Sequence, residues 1–291
     1  MAKRRFHIMT DSASDMPESY YKEHDIDVSE LGLQINGKLY GGADGEKIDC
    51  KDFYARLRGG AMPTTTQVIP EQVTEHAEKY LAAGEDILAV VFSSGLSGTA
   101  YSFSAAAKEL QKKYPQRKFF VVDSLAASMG EGLLLDYVIR KADEGASIEE
   151  TRDYAEALKL HIAHWFTVED LFHLKRGGRV SAATAVVGTM LNIKPVMHVD
   201  DDGHLIPVIN KMGRKKSIRA LVDYMDELQC MDENDPVFIS HGDCEEDALF
   251  LKELIEQRFG KRKFIIHYVG AVIGSHSGAG TLALFFKANH R

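Results

Sequence analysis

The residues able to do chemistry lie in a few short stretches of this 291-residue sequence. Thr10-Asp11-Ser12 closes an apolar run at 6–10, Ser93-Ser94 follows another at 87–92, and Asp123-Ser124 follows a third at 119–122. If these runs are neighbouring parallel strands, their carboxyl ends share one edge. That edge is where open α/β sheets bind ligands. The same residue types also cap helices, so each taken alone suits either role. Pro63-Thr64-Thr65-Thr66-Gln67 and Ser97-Gly98-Thr99 each precede a helical pattern. Hydroxyls beside the free amides of a helix start make an anion site, and Gly98 lets backbone approach closely. Neither stretch has a general base beside it. A hydroxyl without a base is a weak nucleophile but a good hydrogen-bond donor, which favours binding over catalysis.

His276 stands in the glycine-rich segment Gly270-Ala271-Val272-Ile273-Gly274-Ser275-His276-Ser277-Gly278-Ala279-Gly280-Thr281, read as a loop. Its imidazole can donate to a carboxylate or phosphate, or bond within its own loop. Arg176 and Arg179, and then Arg214, Lys215 and Lys216, form two basic clusters in an acidic chain. They read as a solvated face or as a docking and phosphate-facing patch, for which the arginine fork is suited.

Several signatures are excluded. Thr99 stands where a nucleophile elbow around Ser97 needs its second glycine. Gly260-Lys261 is followed by Arg262, so it is no Walker A run. His161 and His164 lie three apart on a helix-like stretch with no acidic third ligand, and read as a satisfied or exposed pair. Asp11 and Asp123 would suit Mg²⁺ if they converge. That is the basis of an alternative reading, a stand-alone Mg-dependent enzyme acting on a small phosphorylated substrate. No nucleophile–base pair supports it.

The elements that must position these residues alternate short apolar runs with helical patterns, an α/β architecture. Leu31, Leu33 and Ile35 alternate up to Asn36-Gly37, a hairpin signal. Ser147 is suited to cap a helix running from 148 to about 163, and the domain transition is expected near there, giving residues 1–155 and 156–291. In the second half the expected elements are a strand at 165–168, helices at 169–175 and about 182–191, and a hairpin at 196–209 turning at Asp202-Gly203. A helix through Ile218 to Leu228, a strand at 237–240, a helix through Ala248 to Ile255 and a last strand at 264–268 follow.

Composition bounds the rest. The formal charge of −8 argues against nucleic acid as a partner, and 45% apolar residues is an ordinary globular share. No uninterrupted apolar run is long enough to span a bilayer, and the start of the chain lacks the apolar core of a signal peptide. Cys50, Cys230 and Cys244 are scattered and form no CxxC pair, so a reduced, cytoplasmic setting is expected.

Taken together, Thr10-Asp11-Ser12, Thr65-Thr66-Gln67, Ser93-Ser94-Gly95-Leu96-Ser97-Gly98-Thr99, Asp123-Ser124, Leu174-Lys175-Arg176-Gly177-Gly178-Arg179-Val180, Ile193-Lys194-Pro195, Asp202-Gly203, Gly213-Arg214-Lys215-Lys216 and His276 resemble, in order and spacing, the DegV family of bacterial fatty-acid-binding proteins. The resemblance covers nearly the whole chain. It implies two α/β domains, the first with a Rossmann-like, mainly parallel sheet and the second smaller with a mixed sheet, and a long-chain fatty acid buried between them. It implies that Thr65 and Ser97 hold the carboxylate, with His276 in the same polar site. Thr66, Gly98 and Ser94 are expected around them, Asp11, Ser12, Asp123 and Ser124 as polar support, and Arg176, Arg179 and Arg214 as a kinase- or phosphate-facing patch. The implied role is that of a binding subunit without catalytic residues, metal or cofactor. A separate fatty acid kinase subunit would phosphorylate the bound acid to an acyl phosphate for phospholipid synthesis. The implied partners are that acid and that kinase, with no more than transient membrane contact. The chain departs from the family pattern at Thr66 for serine, at Val68 and Ala279 for proline, and at Met212, where many members carry arginine.

Overall fold

The computed structural model describes residues 4–169, 171–181 and 192–291, so the helix expected at about 182–191 lies outside the described residues. Strands β1 (Phe6–Asp11), β2 (Ile26–Ser29), β6 (Asp86–Val91) and β7 (Phe119–Asp123) form an all-parallel sheet in the order β2-β1-β6-β7. A small antiparallel sheet, ordered β4-β3-β5, is made from β3 (Gly32–Ile35), β4 (Lys38–Gly41) and β5 (Thr64–Thr66). Its hairpin turns at Asn36-Gly37, both at positive φ (51° and 82°), as the mirror-image turn demands. A six-stranded mixed sheet combines β8 (Ile162–Thr167), β9 (Ile193–Val199), β10 (Leu205–Met212), β11 (Val237–His241), β12 (Phe264–Tyr268) and β13 (Leu282–Lys287) in the order β10-β9-β8-β13-β11-β12. Only β11 and β12 pair in parallel there. The helices are α1 (Glu18–Glu23), α2 (Cys50–Arg58), α3 (Pro70–Ala82), α4 (Thr99–Lys113), α5 (Met129–Asp143), α6 (Ile148–Leu158), α7 (Phe172–Arg176), α8 (Arg214–Leu228), α9 (Glu245–Phe259) and α10 (Ala271–Ser277).

The two large sheets are joined through α5. This helix packs on β6 on one side and on β8, β11 and β13 on the other. Leu133, Leu134, Leu135, Val138 and Ile139 point around its whole circumference and are all buried, the pattern of a helix enclosed by protein. One apolar cluster runs from Ile8, Leu88 and Val122 of the parallel sheet through α5 to Phe166, Phe238 and Phe285 of the mixed sheet.

Three expectations are corrected. The helix that Ser147 caps, through a capping box with Glu150, stops at Leu158 rather than near 163. Residues 162–167 are instead strand β8, buried at every position and paired on both edges. A central strand buried on both faces loses its alternation, so its sequence does not separate it from the end of a buried helix. The glycine-rich segment around His276 is not a loop: Ala271–Ser277 is helix α10, ended by Gly278 at φ +85°. The strand at 264–268 is not the last, because β13 inserts between β8 and β11.

Candidate functional site

A cavity of about 200 Å³ opens between the sheets, at the carboxyl end of β6. Phe92, Leu96, Phe166, Leu174, Val199, Leu205, Val269, Val272, Ile273 and Phe285 give it apolar walls. Among its polar residues, four groups come from separate places. β5 supplies Thr65 and Thr66, the loop before α4 supplies Ser97 and Gly98, α10 supplies His276 and Ser277, and the turn after α7 supplies Arg179.

Thr65 Oγ1 lies 2.8 Å from His276 Nε2. β5 is held edge-on by β3, with Thr65 opposite Leu33, and α10 packs against both strands. The imidazole is pressed from behind by the backbone of Gly177, where a Cβ would stand 2.1 Å from His276 Nδ1. Burial, then the nearby guanidinium groups of Arg179 and Arg176 and the His173 ring, lower the His276 pKa to about 4. At neutral pH it is therefore uncharged. An imidazole that donates from Nε2 to Thr65 leaves the Thr65 hydroxyl hydrogen free to point at a ligand oxygen.

Ser97 Oγ accepts from the amide of Thr99 (3.2 Å) and shares a hydrogen with Thr99 Oγ1 (3.0 Å), at the start of α4. It thus braces the turn into α4 and lines the cavity at once. The amino end of the 15-residue α4 faces the cavity there and favours negative charge. At Gly98 a Cβ would meet Gln67 Oε1 at 2.1 Å, so the two hydroxyl-rich stretches are in contact. Gln67 Nε2 also donates to Ser102 Oγ (3.1 Å).

Arg179 donates to the Leu96 carbonyl from Nε (3.2 Å) and Nη2 (3.0 Å). Arg176 donates to the carbonyls of Pro63 and Ser275, each at 3.0 Å. Both arginines therefore tie together the segments that carry Thr65, Ser97 and His276. Arg214 does something different: it donates to Asp247 Oδ2 (2.8 Å) and the Gly280 carbonyl (2.6 Å).

Ser94 and the strand-end residues Asp11, Ser12, Asp123 and Ser124 do not line this cavity. Asp11 accepts from the amides of Ala13 (2.9 Å) and Phe92 (2.8 Å). Asp123 accepts from the amides of Ser94 and Leu125, each at 3.1 Å. Ser12 Oγ accepts from Leu31, and Ser124 Oγ from Ala126. These groups fasten the loops that leave the sheet edge. Among the described residues no cluster of three or more His, Cys, Asp or Glu side chains is arranged to hold a metal ion, and no helix is long and apolar enough to cross a membrane.

Buried acids lie behind the cavity. Burial raises the pKa of Asp11 and of Asp15 to about 7, against the opposing hydrogen bonds each accepts. Glu131 on α5 is raised well above the usual carboxylate range by burial and by Asp11. A carboxyl whose folded pKa exceeds its unfolded value binds a proton more tightly when folded. Its contribution to stability is full below about pH 4 and is lost as pH rises towards 7. Asp15→Asn removes one such contribution and keeps the left-handed backbone (φ 53°) that asparagine tolerates. Urea unfolding at pH 5 and pH 7.5 should show the variant gaining stability relative to wild type at the higher pH. A wild-type-minus-variant difference that is constant across that interval would place the Asp15 titration elsewhere.

Sequence reasoning missed the cavity residues Ser128, His164, Ser240, Ser277 and Thr281. His164 had been paired with His161 on an expected helix. In the structure His161 ends the short helical turn before β8 while His164 lies on β8, and no one-dimensional signal marks the one that lines the cavity.

The comparisons agree with this architecture. The sequence profile described as "Uncharacterised protein, DegV family" matches residues 5–289. A DegV domain-containing protein of Clostridium perfringens is 41% identical over 285 residues, covering 97% of each chain. Among solved structures, a Thermus thermophilus DegV family protein described for its fatty acid binding is 29% identical. It superposes with a TM-score of 0.88 over 98% of this chain and 99% of its own. A DegV lipid-binding protein from Thermotoga maritima is 28% identical, with a TM-score of 0.86 over 99% of each chain. With a match this long and this similar, the chain belongs to the DegV family.

Proposed function

We propose that the protein binds a long-chain fatty acid in this cavity and presents the carboxylate to a separate fatty acid kinase subunit, without performing catalysis itself. The observation that carries the reading is an apolar cavity with hydroxyls, a neutral imidazole and a helix start gathered in its wall. The family's solved members described as lipid- and fatty-acid-binding support it. Each buried methylene contributes about 0.8 kcal/mol, so a long tail supplies on the order of 10 kcal/mol before association costs. A carboxylate buried without partners would lose several of those. Thr65, Ser97 and the start of α4 offset that loss, and Arg179 supplies a positive field. On this reading the tail sets affinity and the head group sets orientation, with residues 1–155 and 156–291 acting as two lobes around the chain. The second reading, a Mg-dependent enzyme, is disfavoured because Asp11 and Asp123 direct oxygens at backbone amides.

The test is native mass spectrometry and solvent extraction of the purified protein. A co-purifying fatty acid is expected, with its occupancy much reduced in Thr65→Ala and Ser97→Ala and both variants still folded by circular dichroism. Lipid-free wild type with metal-dependent turnover would favour the enzyme instead. Full occupancy in both variants would remove these hydroxyls from the site. Kinase presentation is tested separately, by acyl phosphate formation when a fatty acid kinase subunit and ATP are added.

A further inference from the structure

We propose that an outer groove bounded by α1, β2, β4 and β12 is a docking site for a partner protein, and that it takes a segment carrying lysine or arginine around a strip of apolar side chains. The inference does not depend on the fatty-acid reading.

The groove has a volume of about 690 Å³ and shares Leu31 and Val272 with the wall of the cavity. Each of the three sheets reaches it through an end strand: β2 of the parallel sheet, β4 of the small sheet and β12 of the mixed sheet. Its apolar lining includes Tyr21 on α1, Val28 on β2, Ile48 ahead of α2, Tyr268 on β12, and Ala271 and Val272 on α10. All six are half-buried. No element of the described chain fills the space that they face. Partly exposed apolar side chains gathered around one groove mark an interaction surface, because an occupant removes that remaining area from water.

The charge of the chain is concentrated at the same place. Residues 15–52 supply most of the lining, and they contain ten Asp and Glu against four Lys and no Arg. That is a net of −6 within a chain of −8. Asp15, Glu18, Asp25 and Glu30 line the groove itself, together with Lys22 and Lys47. Glu18 holds both lysines, at 2.8 Å and 3.2 Å. Asp25 is exposed and Glu30 half-buried, and neither is in an ion pair among the described residues.

An apolar floor inside a negative rim selects its occupant. The rim repels a fatty acid anion, an anionic lipid surface and nucleic acid alike. Two copies of the chain joined groove to groove would set like charges against each other. A segment with cationic flanks is drawn in by the rim, covers the floor with its apolar strip, and can stack a cation on the Tyr21 or Tyr268 ring.

The experiment uses the full chain and fluorescence anisotropy of labelled 18-residue peptides. One peptide alternates leucine and lysine so that the leucines share one helical face, a second replaces lysine by glutamate, and a third replaces leucine by serine. The leucine–lysine peptide is expected to bind about tenfold tighter than either of the others, and to weaken as salt screens the rim. Glu18→Lys combined with Glu30→Lys should weaken it about tenfold. Glu109→Lys combined with Glu253→Lys, an equal change of charge on α4 and α9, should leave it within about twofold. Ile48→Ser, which removes apolar floor without altering charge, should weaken it as well. Equal losses in the two double variants would show only diffuse attraction to an acidic protein and overturn the proposal. So would equal binding of the leucine- and serine-containing lysine peptides, which would leave the floor unused. Binding of phosphatidylglycerol vesicles, or self-association in sedimentation, that is lost in the Glu18→Lys, Glu30→Lys variant would assign the groove to a lipid surface or to a second copy, and would overturn it too.

Discussion

Gly177→Ala is expected to lower fatty-acid affinity by about tenfold to a hundredfold while leaving the fold intact. Gly177 has ordinary right-handed dihedrals (φ −76°, ψ −6°), so alanine costs nothing in the backbone. The added methyl would sit 2.1 Å from His276 Nδ1 and 3.1 Å from Cε1. The imidazole must move, and its 2.8 Å bond to Thr65 is lost with it. Hydrogen bonds involving a charged partner contribute about 1.5–3 kcal/mol, and 1.4 kcal/mol is a factor of ten in affinity. The substitution is informative because residue 177 is not itself one of the polar groups assigned to the carboxylate. Titration of the delipidated variant with octadecanoate, next to a thermal melt, is the measurement. Wild-type affinity in a correctly folded Gly177→Ala would mean that the His276–Thr65 pair does not hold the head group.

The second large effect should fall on stability, at Arg291. This side chain is 8% exposed, and its fork donates to four carbonyls: Leu125 (2.6 Å) and Asp200 (3.1 Å) from Nη1, and Ser124 (3.1 Å) and Lys159 (2.7 Å) from Nη2. Those carbonyls belong to the loop after β7, the turn between β9 and β10, and the short helical turn before β8. Burial lowers the Arg291 pKa to about 10, which still leaves it charged at neutral pH. The β9–β10 turn is the one that seats against the loop before α4, where Ser93 Oγ donates to the Gly203 carbonyl at 3.0 Å. Arg291→Met keeps the apolar stem and removes the fork. Leaving several buried carbonyls unpaired should cost about 3 kcal/mol, which for a chain of this size lowers the melting temperature by roughly 10 °C. Lysine should rescue little, because one ammonium cannot reach all four oxygens. A melt within 2 °C of wild type, a threshold set from the roughly 2–4 °C per kcal/mol expected for large domains, would show that water replaces the guanidinium at no cost.

The substitutions also show where the sequence was readable. Three of the parallel strands, β1, β6 and β7, were legible because their apolar runs are bounded by turn-forming and capping residues, as at Asp123-Ser124, whereas the short β2 was not read. The Asn36-Gly37 turn and the Ser147 capping box were legible because both are local, each set within four residues. β8 and β13 were misread or missed because a strand buried on both faces carries no period of two. His276 was singled out for its glycine neighbours, yet those glycines end a helix and press against other segments instead of loosening a loop.

The sequence by itself determined the alternation of strands and helices, the family to which the order of motifs points, and the hydroxyl-rich stretches at Thr65 and Ser97. All of these depend on contacts within a few residues or on the linear order of motifs. Only the tertiary structure decided that Arg179 and Arg176 brace the cavity while Arg214 serves Asp247, that Asp11 and Asp123 are loop fasteners, and that His164 faces inward. The arginine and aspartate outcomes depend on partners 29 to 113 residues away. A side chain's role there is set by which backbone carbonyl or amide the fold brings within hydrogen-bond reach, a distance that spacing along the chain does not encode.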